Sequence, residues 1–194
     1  MTLGVLFLFS NSWAQPYRDN LVLPSLEINQ NLLNHARGGE FTKIERILPL
    51  IKPMMDTFQA KYRADVESEL HISLDTHDPV KVLKAIQHFI YFDIKDLMSL
   101  AVEQIETSPQ KATVKMREAY LNYLLLSSFI ETANFSSDQK IKKNFRQVIL
   151  ALDSSAPYSA EGDISARIAE THQEIKRLAV TIDKMLAEAL TVAK

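Results

Sequence analysis

Apolar residues recur at steps of three and four along most of the chain, the spacing of one helical face, and turn formers punctuate them. Ser25 to Arg37 reads as a first helix, entered after Pro24 and closed by Gly38-Gly39, since only glycine adopts a left-handed stop cheaply. Phe41, Ile44, Ile47, Leu48 and Ile51 form a second stripe, in which Pro49 and Pro53 each remove a backbone donor and predict a kink or break. The spacing resumes at Met54, Met55, Phe58 and Tyr62 and continues from Asp65 through Val66, Leu70 and Leu74. Asp75 to Pro79 reads as a turn in which Asp78 caps the next helix and Pro79 takes its first position. That helix carries Leu83, Ile86, Ile90, Ile94, Leu97, Ala101 and Ile105 on one side and Ala85, Phe89 and Phe92 on the other. Apolar nearly all round, it should be central.

Ser108-Pro109 repeats the cap-and-proline device and opens a helix to about Glu131, with Val114, Leu121, Leu124, Leu125 and Phe129 as its expected apolar face. A loop from Thr132 to Ser136 precedes a helix capped by Ser136 or Ser137 that runs to Asp153. Ser154 to Gly162 is loop-like, and the final helix, Asp163 to Leu190, places Ile164, Ile168, Thr171, Ile175, Leu178, Ile182, Met185 and Ala189 at alternating steps of four and three. No segment shows the sustained alternation of a strand. The expected architecture is all-α, an up-and-down helical bundle of five to seven helices, with the last three long helices forming most of the core.

Composition narrows the classes. Four Gly and seven Pro in 194 residues disfavour a many-stranded β-protein, which needs turn formers at most of its reversals. The absence of cysteine removes disulfides, thiolate metal sites and cysteine nucleophiles. A formal charge of -2 supplies no large field for nucleic acid, so none is expected as a partner.

Residues 1–14 have the grammar of an export signal: the apolar run Leu3 to Phe9, polar Ser10 to Ser12, and small Ser12 and Ala14 at the -3 and -1 positions of a cut before Gln15. A basic start is missing, and an ordinary buried amino-terminal helix is the other reading of the same run. The export reading predicts a periplasmic or otherwise extracytoplasmic protein, with residues 15–194 as a single domain. No later segment reaches the ~20 apolar residues of a spanning helix, so no stable membrane insertion is expected after processing.

Candidate chemistry is sparse. No Gly-rich phosphate loop, nucleophile elbow, zinc helix or Glu-x-x-His pair is present, which points away from an enzyme and leaves a metal ion as the only cofactor to consider. His71, Asp75 and His77 combine helical spacing with a turn and read either as metal ligands or as solvated end residues. His88, Asp93 and Asp96 lie on the doubly apolar helix, where polar groups need partners; they line a ligand pocket between helices, or the carboxylates bond a Lys, Arg or Tyr of a neighbour. Glu118 with Tyr120 and Tyr123 offers a carboxylate and phenols to a hard cation such as ferric iron, or Glu118 is a flank residue reaching solvent. Met54-Met55 follows the stripe and reads as packing.

From about Lys111 onward, Arg117-Glu118-Ala119-Tyr120-Leu121, a short loop, a medium helix and a final amphipathic helix together resemble the extracytoplasmic helical domain that precedes the membrane part of Ftr1-type iron permeases. The resemblance implies metal handling beside a membrane transporter. Where that family places acidic residues after the Tyr, this chain has Leu124, Leu125 and Leu126. The expected function is an exported, non-enzymatic binding protein, with iron handling as its most specific form. The alternative is a structural or protein-interaction module that forms a homo-oligomer or joins a larger complex.

Overall fold

The structure is a computed structural model that describes residues 25–154 and 164–192. The proposed signal and the loop before the last helix, apart from Ser154, lie outside the described residues. Helix makes up 91% of what is described, in seven elements and with no strand. They are α1 (Ser25–Arg37), α2 (Phe41–Tyr62), α3 (Val66–Asp75), α4 (Pro79–Gln104), α5 (Pro109–Ala133), α6 (Phe135–Ser154) and α7 (Ile164–Val192).

Side-chain pairs give the direction of each helix. Ser25 meets Glu118, Asn29 meets Asn122 and Arg37 lies over Phe129, so α1 and α5 run parallel. Phe58 packs on Phe89 and Tyr62 on Phe92, which makes α2 parallel to α4. Tyr91 reaches Asp183 while Glu106 reaches Lys176, so α4 and α7 are antiparallel, as are α5 and α6 through Tyr123–Asp138 and Arg117–Asp153. Consecutive helices pack against each other along the whole chain. This is an up-and-down bundle.

Its hub is α4, which buries 14 of its 26 residues and touches every described helix except α6. The core therefore lies further toward the amino-terminal half than the long carboxy-terminal helices suggest, because only α4 is apolar on enough sides to be surrounded. Three local expectations also change. Helix α2 runs unbroken through Pro49 and Pro53. The two prolines are four residues apart on one exposed face, so the carbonyls they leave without N–H partners, of Glu45 and Pro49, face water. The chain instead breaks after Tyr62, where Arg63 adopts a left-handed φ of 55° and Asp65 caps α3 by accepting from Ser68 N at 3.1 Å. At the start of α6 the capping oxygen is that of Asn134, which accepts from Ser137 N at 3.0 Å, earlier than the serines.

The fourth change concerns α5. Its buried face is Ala112, Met116, Ala119, Tyr123, Leu126 and Ile130, while Val114, Leu121 and Leu124 are exposed. Helix α5 packs between α4, α6 and α1 through its small residues, Leu126 and its one fully buried tyrosine, and Leu121 and Leu124 are turned outward.

Pro49→Ala should raise stability by about 1–3 kcal/mol, since alanine restores the missing helical hydrogen bond at a position with no packing to lose. A urea midpoint at or below that of the parent protein would show that α2 draws no strain from Pro49.

Candidate functional site

Of the three groups of residues singled out by sequence, the fold divides two and leaves the third exposed at a helix end. His71, Asp75 and His77 are all exposed at the end of α3; His77 has a left-handed φ of 50°, lies edge-on to Phe41 at 5.8 Å and points Nδ1 at the Asp75 carbonyl. Glu118 turns toward α1, accepting from Ser25 Oγ at 2.9 Å and Lys115 Nζ at 3.1 Å. Tyr123 turns toward α6, and Tyr120 stacks on it with Phe145 against both rings. Glu118 and the Tyr123 hydroxyl thus serve different helices. Among the described residues no group of three or more His, Asp or Glu is placed to hold a metal ion.

His88, Asp93 and Asp96 also find different partners: Asp93, five residues on, lies about 140° round the helix from His88, and Asp96, although one turn from Asp93, reaches a different neighbouring helix. His88 Nδ1 bonds the Glu69 carboxylate on α3, with its ring against Tyr91 and Phe92. Asp96, fully buried, accepts from Lys61 Nζ at 3.0 Å and Tyr62 OH at 3.3 Å on α2, the neighbour-helix partnership that a buried carboxylate needs. Asp93, also fully buried, accepts at one oxygen from Asn29 Nδ2 and Asn122 Nδ2, both at 2.9 Å. Asn29 also donates to Asn122 Oδ1 at 3.2 Å, and Asn122 to Ser25 Oγ at 3.3 Å, which leads on to Glu118 and Lys115 at the surface. The Asn29 Oδ1 atom is buried with no hydrogen-bond partner.

A third buried carboxylate, Asp138 on α6, accepts from Tyr123 OH at 2.6 Å and Ser127 Oγ at 2.8 Å, and pairs with Lys142 Nζ at 2.8 Å. Burial pushes its acid strength down, but the bonds from Lys142, Tyr123 and Ser127 outweigh that and hold the carboxyl below the usual aspartate range. The same burial, with Asp138 as its acceptor, pushes the Tyr123 phenol well above an ordinary tyrosine.

Open volume lies along the seam between α4 and α7. Tyr91 OH at 3.0 Å and Lys95 Nζ at 2.9 Å both bond Asp183, a polar clasp in the middle of that seam. Burial, and then Asp183, push the Tyr91 phenol upward. A cavity flanks the clasp on each side. One, of about 360 Å³, is bounded by Glu69, Lys84, Gln87, His88 and Tyr91 on α3 and α4 and by Ala187, Leu190 and Thr191 on α7. The other, of about 350 Å³, lies between Tyr62, Met98 and Val102 on one side and Lys176, Ala179 and Val180 on the other. Both fall within the ordinary size range of small-molecule sites.

Asn29, Asn122, Asp138, Glu69 and Asp183 went unread in the sequence. A signal existed for three of them: Asn29, Asn122 and Asp138 occupy stripe positions next to Leu33, Leu126 and Ile141, where a polar residue must find a buried partner.

Fold and site together define an all-α helical bundle with a cleft along one helix seam. Comparison with known proteins finds no matching family model, no matching curated protein and no matching solved structure.

Asp138→Ala should cost about 2–4 kcal/mol at neutral pH, since it leaves the Tyr123 hydroxyl buried without its acceptor and removes the pair with Lys142. A carboxyl held below its unfolded value contributes above that value, roughly pH 4, and loses its contribution as pH falls through the folded one. The urea midpoints of parent and variant should therefore converge below about pH 4; a difference unchanged from pH 7 to pH 3 would contradict this.

Proposed function

We propose that this chain is a non-enzymatic binding protein, exported by its amino-terminal segment, whose ligand enters the cleft between α3, α4 and α7. The observation that carries the proposal is the contrast between this cleft and the rest of the interior. The buried carboxylates Asp96 and Asp138 are each tied to side chains of the bundle itself, and Asp93 to two asparagines. The cleft instead leaves apolar wall, a tyrosine ring and polar tips facing open volume. The iron-handling form of the proposal rests on the resemblance of the carboxy-terminal part alone, and export rests on residues 1–14. No described helix is long and apolar enough to cross a membrane.

A neutral solvatochromic dye such as Nile red tests the cleft. The parent protein should bind it with a blue-shifted emission, and Ala187→Trp, which fills the cleft from the α7 side, should weaken binding at least tenfold with the helical dichroism intact. Equal binding by the two proteins would remove the cleft from the proposal.

The second reading, a protein-interaction module, is favoured by the outward stripe of α5, where Val114 is 60% and Leu121 46% exposed. Sedimentation of the parent protein and of a Val114→Lys, Leu121→Lys variant decides it: an oligomer that the substitutions dissociate supports the module, and a parent monomer at high concentration removes self-association.

A further inference from the structure

We infer that the cleft between α3, α4 and α7 takes a small amphipathic carboxylate, its head at Lys84 and its apolar body against Leu190, Ala187 and the ring of Tyr91; this rests on the binding role proposed for the cleft. The charges around the two seam cavities are not equivalent. In the second cavity Lys95 is held by Asp183 and Lys176 by Glu106, so neither ammonium is available. In the first, the Glu69 carboxylate is bonded by His88, and the Tyr91 hydroxyl is directed away to Asp183. Lys84 is exposed at the rim and has no ion-pair partner among the described residues. Among the described residues that line the two seam cavities, Lys84 is the cation left open beside an apolar wall, and it is complementary to a single negative charge carried on an oily body.

The surroundings also limit the size of that charge. Leu190 and Thr191 belong to the last turn of α7, whose carbonyl end carries partial negative charge, and Glu69 stands on the opposite wall. A dianion such as a phosphate monoester would face both without an arginine or a row of backbone N–H groups to offset them, whereas a carboxylate needs only the lysine and the neighbouring Gln87 amide. The volume of about 360 Å³ suits a chain or ring of roughly ten carbons and excludes a folded macromolecular partner from the interior of the cleft.

Isothermal titration of the full chain with decanoate, decanol and decyltrimethylammonium tests the assignment. Decanoate should bind at least tenfold more tightly than decanol. Lys84→Met, which keeps the aliphatic stem and removes the charge, should abolish that preference while leaving decanol binding unchanged; Lys81→Met, at an exposed position outside the cleft, should preserve it. Decanol binding as tightly as decanoate, a preference for the cationic amphiphile, or a preference that survives Lys84→Met would each overturn the inference. If Nile red binds and Ala187→Trp displaces it while decanoate shows no advantage, the carboxylate assignment alone fails. If Nile red does not bind the parent protein, the cleft fails as a site.

Discussion

Asp93 places a carboxylate where water cannot reach it, in the middle of the one helix that touches five of the other six. Its Oδ2 atom accepts from an asparagine of α1 and an asparagine of α5, and those two amides bond each other. Apolar packing is tolerant of rotation and sliding, because one leucine contact is much like the next; a single acceptor shared by donors on two helices is not. The triangle of Asn29, Asp93 and Asn122 therefore fixes the rotation of α4 and the axial position of α1 and α5 together. Loss of any member takes one hydrogen bond from each of the other two at a place where water cannot replace it, which is more costly than the bond itself is stabilising.

The same physics acts at the periphery with a different outcome. Asp96 ties α4 to α2 through Lys61 and Tyr62, and Asp138 ties α6 to α5 through Tyr123 and Ser127; at both places aromatic rings pack beside the polar group. Along the α4–α7 seam the tie is again a carboxylate, Asp183, but the α7 residues facing the cavities beside it include Ala179 and Ala187. Alanines opposite Tyr91, Met98 and Val102 leave volume that no described side chain fills. A helix held by a clasp instead of by continuous packing leaves open volume on either side of it, and Lys84, which has no ion-pair partner among the described residues, stands beside one of these openings.

Fold class was legible because helical periodicity is a local property: Asp78-Pro79 and the all-round apolar run from Val82 to Ala101 announce a capped, central helix before any neighbour is known. Asp96 was legible as far as its need for a Lys or Tyr, which Lys61 and Tyr62 meet. The outward face of α5 was not. Val114, Leu121 and Leu124 are more hydrophobic than Ala112, Ala119 and Asn122, and periodicity favours the greasier face. Close approach to α4 and the hydrogen bonds of Asn122 and Tyr123 select the other one.

The sequence by itself determined the type of the elements, most of their ends, and the demand that polar residues on apolar stripes be matched, since these follow from backbone geometry and from the cost of burying a bare polar group. Only the tertiary structure decided which partners met that demand. It sent Glu118 and Tyr123 to different helices, joined Glu69 to His88 across nineteen residues, and placed Lys84 beside an open cleft with no ion-pair partner among the described residues. Those outcomes depend on how helices distant in sequence are rotated against one another, and that rotation is a collective property of all the packed faces, which no single segment encodes.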